Sequence, residues 1–445
     1  MQHRSDPELF VIPLAPSDYL IYAPLRRAAL VGNAELLRFL RNDTSAEDVQ
    51  PAIFTALRAC GMVDGPPVEP PATPRAGPPR PLVATLLLTS ACNLRCCYCY
   101  ASSGDAPAAF MSFESARRAI DFVAANALAA HAPSFEVSYH GAGEPTQHWP
   151  LLVKSHLYAR RVAESAGLRL RASLTTNGVF DAARCAWIAA HLNSATVSFD
   201  GLPEIQNAGR PTASGAASAA AVLTTLRAFD QANFRYSIRM TVTAETIPGL
   251  PQSVAYICRR FRPQAIQVEP VYQMGRGREA AGAETAAFLS AFRAARRTSP
   301  KAARLLRFSG ARAGTLTNRF CGVANGNFCV APSGAVSACH EVASETQPFA
   351  ATFFYARPSA ASAGYEFDEC VYSNLRAQTV DHLDRCRDCF AKWNCAGDCY
   401  HKSLHAGPTR CEIIRELTKD QLLENIATSG GIYWKRPGPD GQLVK

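Results

Sequence analysis

The stretch Cys92-Asn93-Leu94-Arg95-Cys96-Cys97-Tyr98-Cys99 follows the apolar run Val83-Ala84-Thr85-Leu86-Leu87-Leu88. An apolar run of this kind predicts a buried β-strand, so the cysteines lie in the loop at its C-terminal end. Cys92, Cys96 and Cys99 have the spacing C-x3-C-x2-C and offer three thiolates where a complete 4Fe-4S site has four cysteines. The spacing therefore predicts a cluster with one open iron, and a structural zinc site is the alternative interpretation.

Length and composition indicate a globular chain of more than one unit. The sequence has 445 residues, which predicts two or three domains at the usual ~100–200 residues per domain. Hydrophobic residues make up 48% of the chain, enough for a sizeable core. The net charge of +9 permits an acidic peptide or nucleotide partner but is equally typical of a solvated basic surface. We predict no nucleic-acid and no membrane partner.

The sixteen cysteines indicate metal ligation. The first ten residues lack an apolar signal core, and no apolar run reaches the ~18 residues of a membrane span. The sequence therefore predicts a cytoplasmic protein, and in the reducing cytosol clustered cysteines are more often metal ligands than disulfide partners. The cysteines that fit no ligand spacing are interpreted as ordinary thiols, and they are Cys60, Cys97, Cys185, Cys258 and Cys370.

The pattern of strands, helices and prolines divides the chain into five predicted units. Residues 1–63 contain three strand-like runs, Leu9–Pro13, Tyr19–Tyr22 and Ala28–Val31, before a helix over Ala34–Arg41 that Asn33 can cap. Eight prolines between residues 64 and 81 predict a semi-extended linker. The remaining units are a barrel at residues 82–300, a cysteine-rich domain at 310–425 and a tail at 426–445.

Strand-like and helix-like runs alternate six times after the linker. The predicted strands are Val83–Leu88, Phe135–His140, Leu168–Leu174, Ala195–Phe199, Arg235–Val242 and Ala265–Glu269. The predicted helices are Phe113–Leu128, Leu151–Ser165, Ala182–Ala190, Ala216–Asp230, Leu250–Arg260 and Thr285–Arg296. Six such units predict an α/β fold whose parallel sheet curls into a partial (β/α)6 TIM-like barrel. The chemistry is then expected at the C-terminal ends of the strands.

Three further strand ends carry residues suited to a ligand. The second strand ends in Tyr139-His140-Gly141-Ala142-Gly143-Glu144-Pro145-Thr146, where glycines let the backbone approach a ligand and Glu144 can receive an ammonium group. The third strand ends in Thr175-Thr176-Asn177-Gly178 and the fourth in Ser198-Phe199-Asp200-Gly201, with Arg210 following.

The cysteine octet and these strand ends resemble the radical SAM superfamily. The resemblance implies a 4Fe-4S cluster on Cys92, Cys96 and Cys99 whose open iron chelates S-adenosyl-L-methionine. It also implies that Tyr98 lies near the adenine and that Glu144, in a motif similar to the family's G-G-E-P, binds the methionine amino group. Arg210 matches an arginine that pairs with a carboxylate, and a surface arginine is the alternative. The residues so assigned to the cofactor are Tyr98, Gly143, Glu144, Pro145, Thr176, Asn177, Ser198, Asp200 and Arg210.

A second group of cysteines begins at Cys321. The spacing C-x12-G-x4-C from Cys321 to Cys339, with C-x2-C-x5-C-x3-C and a closing cysteine later, resembles the SPASM domain of radical SAM enzymes that modify peptides and proteins. The resemblance implies two auxiliary 4Fe-4S clusters, three clusters in all, and two zinc ions are the alternative. One auxiliary set is Cys386, Cys389, Cys395 and Cys411. The other is Cys321, Cys339 and Cys399, with Cys329 as the candidate fourth ligand or a buried thiol.

The two resemblances together imply a maturase that acts on a precursor peptide or protein and receives electrons from a donor such as flavodoxin or ferredoxin. The three strands and helix of residues 9–42 resemble the start of a leader-binding RiPP recognition element, and a hairpin packed on the catalytic domain is the alternative. Sulfatase-maturating enzymes carry an aspartate after the second SPASM cysteine, where this chain has His340, a candidate catalytic base. We therefore expect side-chain cross-linking, with protein oxidation, epimerisation or a non-catalytic, zinc-stapled peptide-binding protein as alternatives.

Overall fold

The structure, a computed structural model, describes residue 6 and residues 8–44, 49–72, 77–278, 282, 284–407 and 409–435. These residues form a four-stranded sheet and an eleven-stranded sheet with helices packed on them. The predicted α/β class with a partial barrel is confirmed, since the strands of the larger sheet that follow the linker are parallel and alternate with helices. No helix of the described residues is long and apolar enough to cross a membrane.

The smaller sheet begins with three antiparallel strands followed by two helices. These elements are β1 (Phe10–Pro13), β2 (Asp18–Ala23), β3 (Ala28–Asn33), α1 (Ala34–Leu40) and α2 (Pro51–Ala59). The side chain of Asn33 accepts a hydrogen bond from the backbone N–H of Leu36 at 3.0 Å and so caps α1. After α2, the described residues between 64 and 81 contain no helix or strand, and residues 73–76 of the predicted linker lie outside the described part. The linker itself stays a prediction.

Six parallel strands form the barrel, and a short seventh extends it. They are β4 (Val83–Leu87), β5 (Ser134–His140), β6 (Arg169–Thr176), β7 (Ser194–Ser198), β8 (Tyr236–Val242), β9 (Ile266–Pro270) and β10 (Leu306–Arg307). The helices between them are α3 (Phe113–Ala129), α4 (Trp149–Ala166), α5 (Ala182–His191), α6 (Pro203–Gly209), α7 (Ala219–Gln231), α8 (Leu250–Arg260), α9 (Thr285–Arg297) and α10 (Pro300–Leu305).

Residues along the barrel strands alternate between the two faces of the sheet. In β5 and β8 every second residue is buried, and these residues, such as Val137 and Ile238, join the core under the helices. The intervening residues, such as His140 and Arg239, line a cavity inside the barrel. Because side chains alternate with a period of two, a hydrophobic outer face leaves a polar inner face for chemistry.

The cysteine-rich region extends the barrel sheet. Its strands are β11 (Cys329–Val330), β12 (Val336–Ser337), β13 (Phe354–Pro358) and β14 (Tyr365–Phe367). β11 runs parallel to β4 with Cys329 opposite Thr85, and the other three follow in antiparallel order. The helices of the region are α11 (Ala350–Phe353), α12 (Glu369–Arg376), α13 (Lys392–Cys395), α14 (Tyr400–Ala406) and α15 (Cys411–Thr428). The sequence did not predict this extension, because a strand of two residues is too short to show the alternation of hydrophobic and polar residues.

The last described strand, β15 (Ile432–Trp434), returns to the smaller sheet and pairs antiparallel with β3. It lies in the predicted tail, of which residues 436–445 are outside the described part. Leu422 and Ile426 of α15 pack against β2, and the Tyr22 hydroxyl donates a hydrogen bond to Asn394 Oδ1 at 2.9 Å. The N-terminal sheet is therefore packed on the cysteine-rich region.

The loops after β4 and β5 approach each other at Gly143. The backbone N–H of Gly143 donates to Thr89 O at 3.1 Å, and that of Glu144 donates to Ala91 O at 2.8 Å. A Cβ added at Gly143 would lie 2.1 Å from Ala91 O, closer than any real contact. This position therefore requires glycine for contact between the cysteine loop and the loop that carries Glu144.

We predict that Gly143→Ala lowers the free energy of unfolding by about 1–3 kcal/mol, because the added methyl group must push two backbone segments apart. Thermal unfolding followed by circular dichroism under anaerobic conditions measures the change. Gly282→Ala is the control, since a Cβ there meets no heavy atom within 4 Å. Equal melting temperatures for the two variants would contradict this account of the loop contact.

Candidate active site

A cavity of about 340 Å³ lies at the C-terminal ends of the barrel strands. Its walls come from the cysteine loop after β4, from the ends of β5 to β9 and from the cysteine-rich region. The structure thus brings together residues that lie far apart in the sequence. The predicted site residues that line the cavity are Cys92, Cys96, Tyr98, Cys99, Gly143, Glu144, Thr176, Asn177, Ser198, Arg210 and His340. Pro145 and Asp200 lie behind this lining.

The cysteine loop holds three thiols toward the cavity. The guanidinium of Arg95 donates to the backbone oxygens of Cys92 at 2.8 Å and Leu94 at 2.9 Å, which fixes the turn. Burial raises the pKa of Cys92 to about 12 and that of Cys96 to about 11, and neighbouring cysteines add to the rise at both. Three half-buried thiols that line one cavity suit a cationic metal cluster that compensates thiolate charge.

Cys97 takes no part in this group. Its side chain is exposed, and its backbone N–H donates to Gly209 O at 3.0 Å. That contact ties the cysteine loop to the end of α6 and places Cys97 outside the cavity lining. Its backbone, rather than its thiol, contributes to the position of the cysteines on either side.

Glu144 is a buried carboxylate held entirely by neutral donors. Its Oε1 accepts from Thr146 N–H at 3.1 Å, Thr146 Oγ1 at 2.9 Å and Thr176 Oγ1 at 2.8 Å, while Oε2 accepts from Asn177 N–H at 2.7 Å. Burial raises the pKa of Glu144 against these hydrogen bonds. None of the ion pairs in the described part of the chain includes Glu144. The carboxylate is therefore suited to an ammonium group supplied by a ligand.

Asn177 connects the third strand end to the cysteine loop. Its Nδ2 donates to Asn93 Oδ1 at 2.7 Å, while its backbone holds Glu144. Asn93 in turn donates to Val179 O at 2.9 Å. The cysteine loop, the Glu144 loop and the end of β6 thus form one hydrogen-bonded unit.

Tyr98, Asp200 and Arg210 form a second buried group. Arg210 binds the Asp200 carboxylate through Nε at 2.9 Å and Nη2 at 3.1 Å, and the Tyr98 hydroxyl also donates to Asp200. The guanidinium lies 5.1 Å from the centre of the Tyr98 ring. Asp200 and Arg210 therefore position Tyr98, and the carboxylate that pairs with Arg210 belongs to the protein itself.

The cysteines of the C-terminal region form two groups by mutual electrostatic influence. In the first group, burial raises the pKa of Cys386, and the neighbouring Cys389 and Cys411 raise it further. Burial also raises the pKa of Cys395 to about 12, and Cys386 and Cys411 contribute to that rise. In the second group, burial raises the pKa of Cys339, and the neighbouring Cys399 and Cys329 raise it further. Burial raises the pKa of Cys399 to about 12, and Cys321 contributes to that rise. Each group offers four sulfur ligands, which suits a 4Fe-4S cluster or a zinc ion.

Cys339 is followed by the cavity residues His340 and Glu341. The rings of His340 and His140 lie 4.3 Å apart, and His140 Nδ1 accepts from Gly141 N–H at 2.9 Å. Glu341 accepts from His401 Nδ1 at 3.0 Å and pairs with Lys402 at 3.4 Å. Ligand atoms of Cys339, Glu341 and His401 lie within 4.8 Å of one another, a mixed set compatible with zinc.

Burial lowers the pKa of both histidines, and the guanidinium of Arg239 lowers each further. For Glu341, burial acts to raise the pKa, but Lys402 and His401 hold it well below its usual range. The cavity therefore presents two neutral imidazoles, His140 at the end of β5 and His340 of the cysteine-rich region, beside the ionised carboxylate of Glu341, which has its own cations.

Sequence reasoning missed several cavity residues. They are His140, Arg239, Gln267, Glu269, Tyr272 and Lys402. A signal was present for those on strands, since polar residues at alternate positions of an otherwise apolar strand indicate its inner face. Tyr272 and Lys402 lie in a loop and on α14, where no period marks them.

A known protein family matches the barrel part of the chain. Residues 86–252 match the model of the Radical SAM superfamily. No curated protein sequence matches the chain. The solved structure of native anSMEcpe with bound AdoMet and Cp18Cys peptide is similar with a TM-score of 0.59 at 16% identity, covering 79% of this chain and 99% of that one.

Streptococcus suis SuiB bound to precursor peptide SuiA is similar with a TM-score of 0.50 at 14% identity, covering 73% of each chain. At these identities the two likenesses establish the fold. The matched segment contains the three cavity cysteines, Glu144 and Asn177 that the geometry brings together. Residues 86–252 of the barrel are therefore identified as a radical SAM domain.

Proposed function

We propose that this radical SAM enzyme modifies a ribosomally synthesised peptide by hydrogen abstraction and forms a side-chain cross-link through a carbon–carbon, ether or thioether bond. The observation that carries the proposal is the convergence of three thiols and the buried Glu144 on one cavity that the cysteine-rich region covers. A bound 4Fe-4S cluster with S-adenosylmethionine supplies the electron transfer that yields a 5′-deoxyadenosyl radical.

The chain's own residues bind, orient and enclose the reactants. Cys92, Cys96 and Cys99 would hold the cluster, which would bind the cofactor in the cavity that the three cysteines line. Glu144 binds the cofactor's ammonium group, because its charge is buried without a protein cation. Tyr98, fixed by Asp200, offers its ring to the adenine. Residues after Cys339 close the cavity and exclude water from the radical.

The two C-terminal cysteine groups hold auxiliary 4Fe-4S clusters in this proposal. Cys386, Cys389, Cys395 and Cys411 ligate one, and Cys321, Cys329, Cys339 and Cys399 ligate the other. The second group adjoins the cavity wall through Cys339, and a cluster held there would supply either a site for the electron that the substrate radical gives up or a site for substrate. A flavodoxin or ferredoxin in the cytoplasm would reduce the clusters.

A peptide substrate is supported by two structures of similar fold. AnSMEcpe was solved with the Cp18Cys peptide, and SuiB was solved with precursor peptide SuiA. We further propose that the N-terminal sheet binds a leader segment by strand addition. In the described residues β15 covers the edge of β3, so β1 is the edge strand left for a peptide.

His340 is our candidate for the catalytic base, since it lines the cavity beside His140. Protein oxidation of the sulfatase-maturating type and peptide epimerisation remain the alternative reactions. The neighbouring reading frames separate these: a short precursor gene supports peptide maturation, whereas a sulfatase gene supports the oxidase. Co-expression with the neighbouring peptide and mass spectrometry of the product identifies the bond.

A zinc-stapled, non-catalytic peptide-binding protein is the alternative from another class, and the mixed set around Cys339 is the observation that favours it. Anaerobic reconstitution followed by iron, sulfide and zinc analysis distinguishes the two. Our proposal expects about twelve irons per chain from three four-iron clusters. Zinc without iron, and no cleavage of S-adenosylmethionine, would support the alternative.

We predict that replacing Cys92, Cys96 and Cys99 together with alanine abolishes 5′-deoxyadenosine formation and lowers the iron content to about eight per chain, because two auxiliary clusters remain. Product analysis by chromatography and iron determination measure the two effects. Cys97→Ala is the matched control and keeps both, since the Cys97 thiol is exposed outside the cavity. Cofactor cleavage by the triple variant would refute the assignment of the cluster.

We predict that Glu144→Gln raises the Kd for S-adenosylmethionine about tenfold to hundredfold, because a charge-assisted hydrogen bond becomes a neutral one in a buried site. Equilibrium dialysis against the reconstituted protein measures the Kd. Glu136→Gln on the same strand is the control, as Glu136 does not line the cavity. An unchanged Kd would mean that another residue binds the ammonium group.

A further inference from the structure

Apart from Glu144 and Arg239, each charged side chain of the described cavity lining has a partner of opposite charge. Arg210 pairs with Asp200 at 2.9 Å, and Lys402 pairs with Glu341 at 3.4 Å. Glu269 pairs with Arg410 at 2.5 Å and also accepts from Gln267 Nε2 at 2.9 Å. Each of these charges is compensated within the protein, so none is left to select a ligand by charge.

Arg239 differs from the other cavity cations. It is half-buried on the inner face of β8 and lines the cavity, yet none of the ion pairs or hydrogen bonds found within the described residues involves its guanidinium. Its sheet neighbours, Ser198 on β7 and Gln267 on β9, are uncharged. A guanidinium has five donors and strongly prefers bidentate anions, so an unpaired one in a partly buried cavity marks a site for an anion.

The surroundings of Arg239 locate this anion site. Arg239 shares the cavity lining with Glu269 and Tyr272 and with His140 and His340. Tyr272 lies beyond β9, and His340 belongs to the cysteine-rich region. The groups that suit the cofactor's ammonium, Glu144 with Asn177, lie at the ends of β5 and β6. In the sheet, β8 lies two strands away from β6, so we assign Arg239, apart from Glu144 and Asn177, to the substrate side of the cavity.

We propose that Arg239 binds a carboxylate of the substrate, so that the modified peptide carries an aspartate, a glutamate or a C-terminal carboxylate beside the reacting carbon. This inference rests on the proposed function and adds the chemical class of the group recognised. The bidentate contact orients the peptide next to His140 and His340, whose rings lie 4.3 Å apart in the same cavity lining. Arg239 is in this sense a specificity-determining residue.

The test is a binding selection on the reconstituted holoenzyme with S-adenosylmethionine present, using a random-sequence heptapeptide library. Wild-type protein is expected to enrich peptides that contain Asp, Glu or a free C-terminal carboxylate over amidated, acid-free ones. Arg239→Gln is expected to reduce that enrichment about tenfold, the effect of losing one charge-assisted hydrogen bond. Arg239→Glu is expected to reverse the preference toward Lys and Arg.

The matched control is Arg171→Gln, which removes an exposed arginine of β6 that does not line the cavity and is expected to keep the acidic preference. Selection of peptides without acidic preference by the wild type, or retention of that preference by Arg239→Gln, would overturn the proposal. The Kd for S-adenosylmethionine is measured on the same preparations. A tenfold rise in Arg239→Gln with unchanged peptide preference would assign the carboxylate to the cofactor and overturn the substrate site.

Formation of 5′-deoxyadenosine by the wild type after reduction with dithionite is recorded separately. Its absence would count against the proposed function, whereas the peptide selection reports only on Arg239. The two failures are therefore distinguishable, since one is a loss of cofactor chemistry and the other is a loss of charge preference in binding.

Discussion

The buried charge of Glu144 is the constraint on which the site depends. A carboxylate taken out of water costs several kcal/mol unless hydrogen bonds and a cation compensate it. The protein supplies four neutral donors from the Glu144 loop and the end of β6, and no ion pair of the described residues adds a cation. These four hydrogen bonds form only if the cysteine loop, β5 and β6 are fixed relative to each other. The backbone contacts of Gly143 and the hydrogen bonds of Asn177 fix them.

A second buried network holds the cysteine-rich region on the barrel. Arg410 is only 4% exposed and forms an ion pair with Glu269 of β9. Its guanidinium also binds Asp398, which precedes Cys399 in the chain, and Cys411 directly follows Arg410. Removing one partner of such a group would leave an uncompensated charge in the interior. Cysteines of both C-terminal groups are thereby linked to a barrel strand whose inner face lines the cavity.

The sequence predicted the barrel well because period-two strands, helix caps and ligand spacings are local signals. The strands β4 to β9 and the cavity position of Cys92, Cys96, Cys99 and Glu144 follow from such signals. The pairing of β11 with β4, the Tyr22–Asn394 contact and the role of Arg410 depend on residues far apart in the chain, and no local pattern encodes them. Arg239 lay within a predicted strand, but the sequence could not show that its guanidinium has no ion-pair partner among the described residues, because that depends on which side chains surround it in the fold.

The pairing of β3 with β15 has a consequence for how the chain acquires its structure. Domains generally fold as units during synthesis, from the N-terminal end onward. The smaller sheet departs from this order, because its fourth strand is the last described element to leave the ribosome. The barrel can close while that sheet still exposes one edge to solvent, so the first strands made are among the last to be completed.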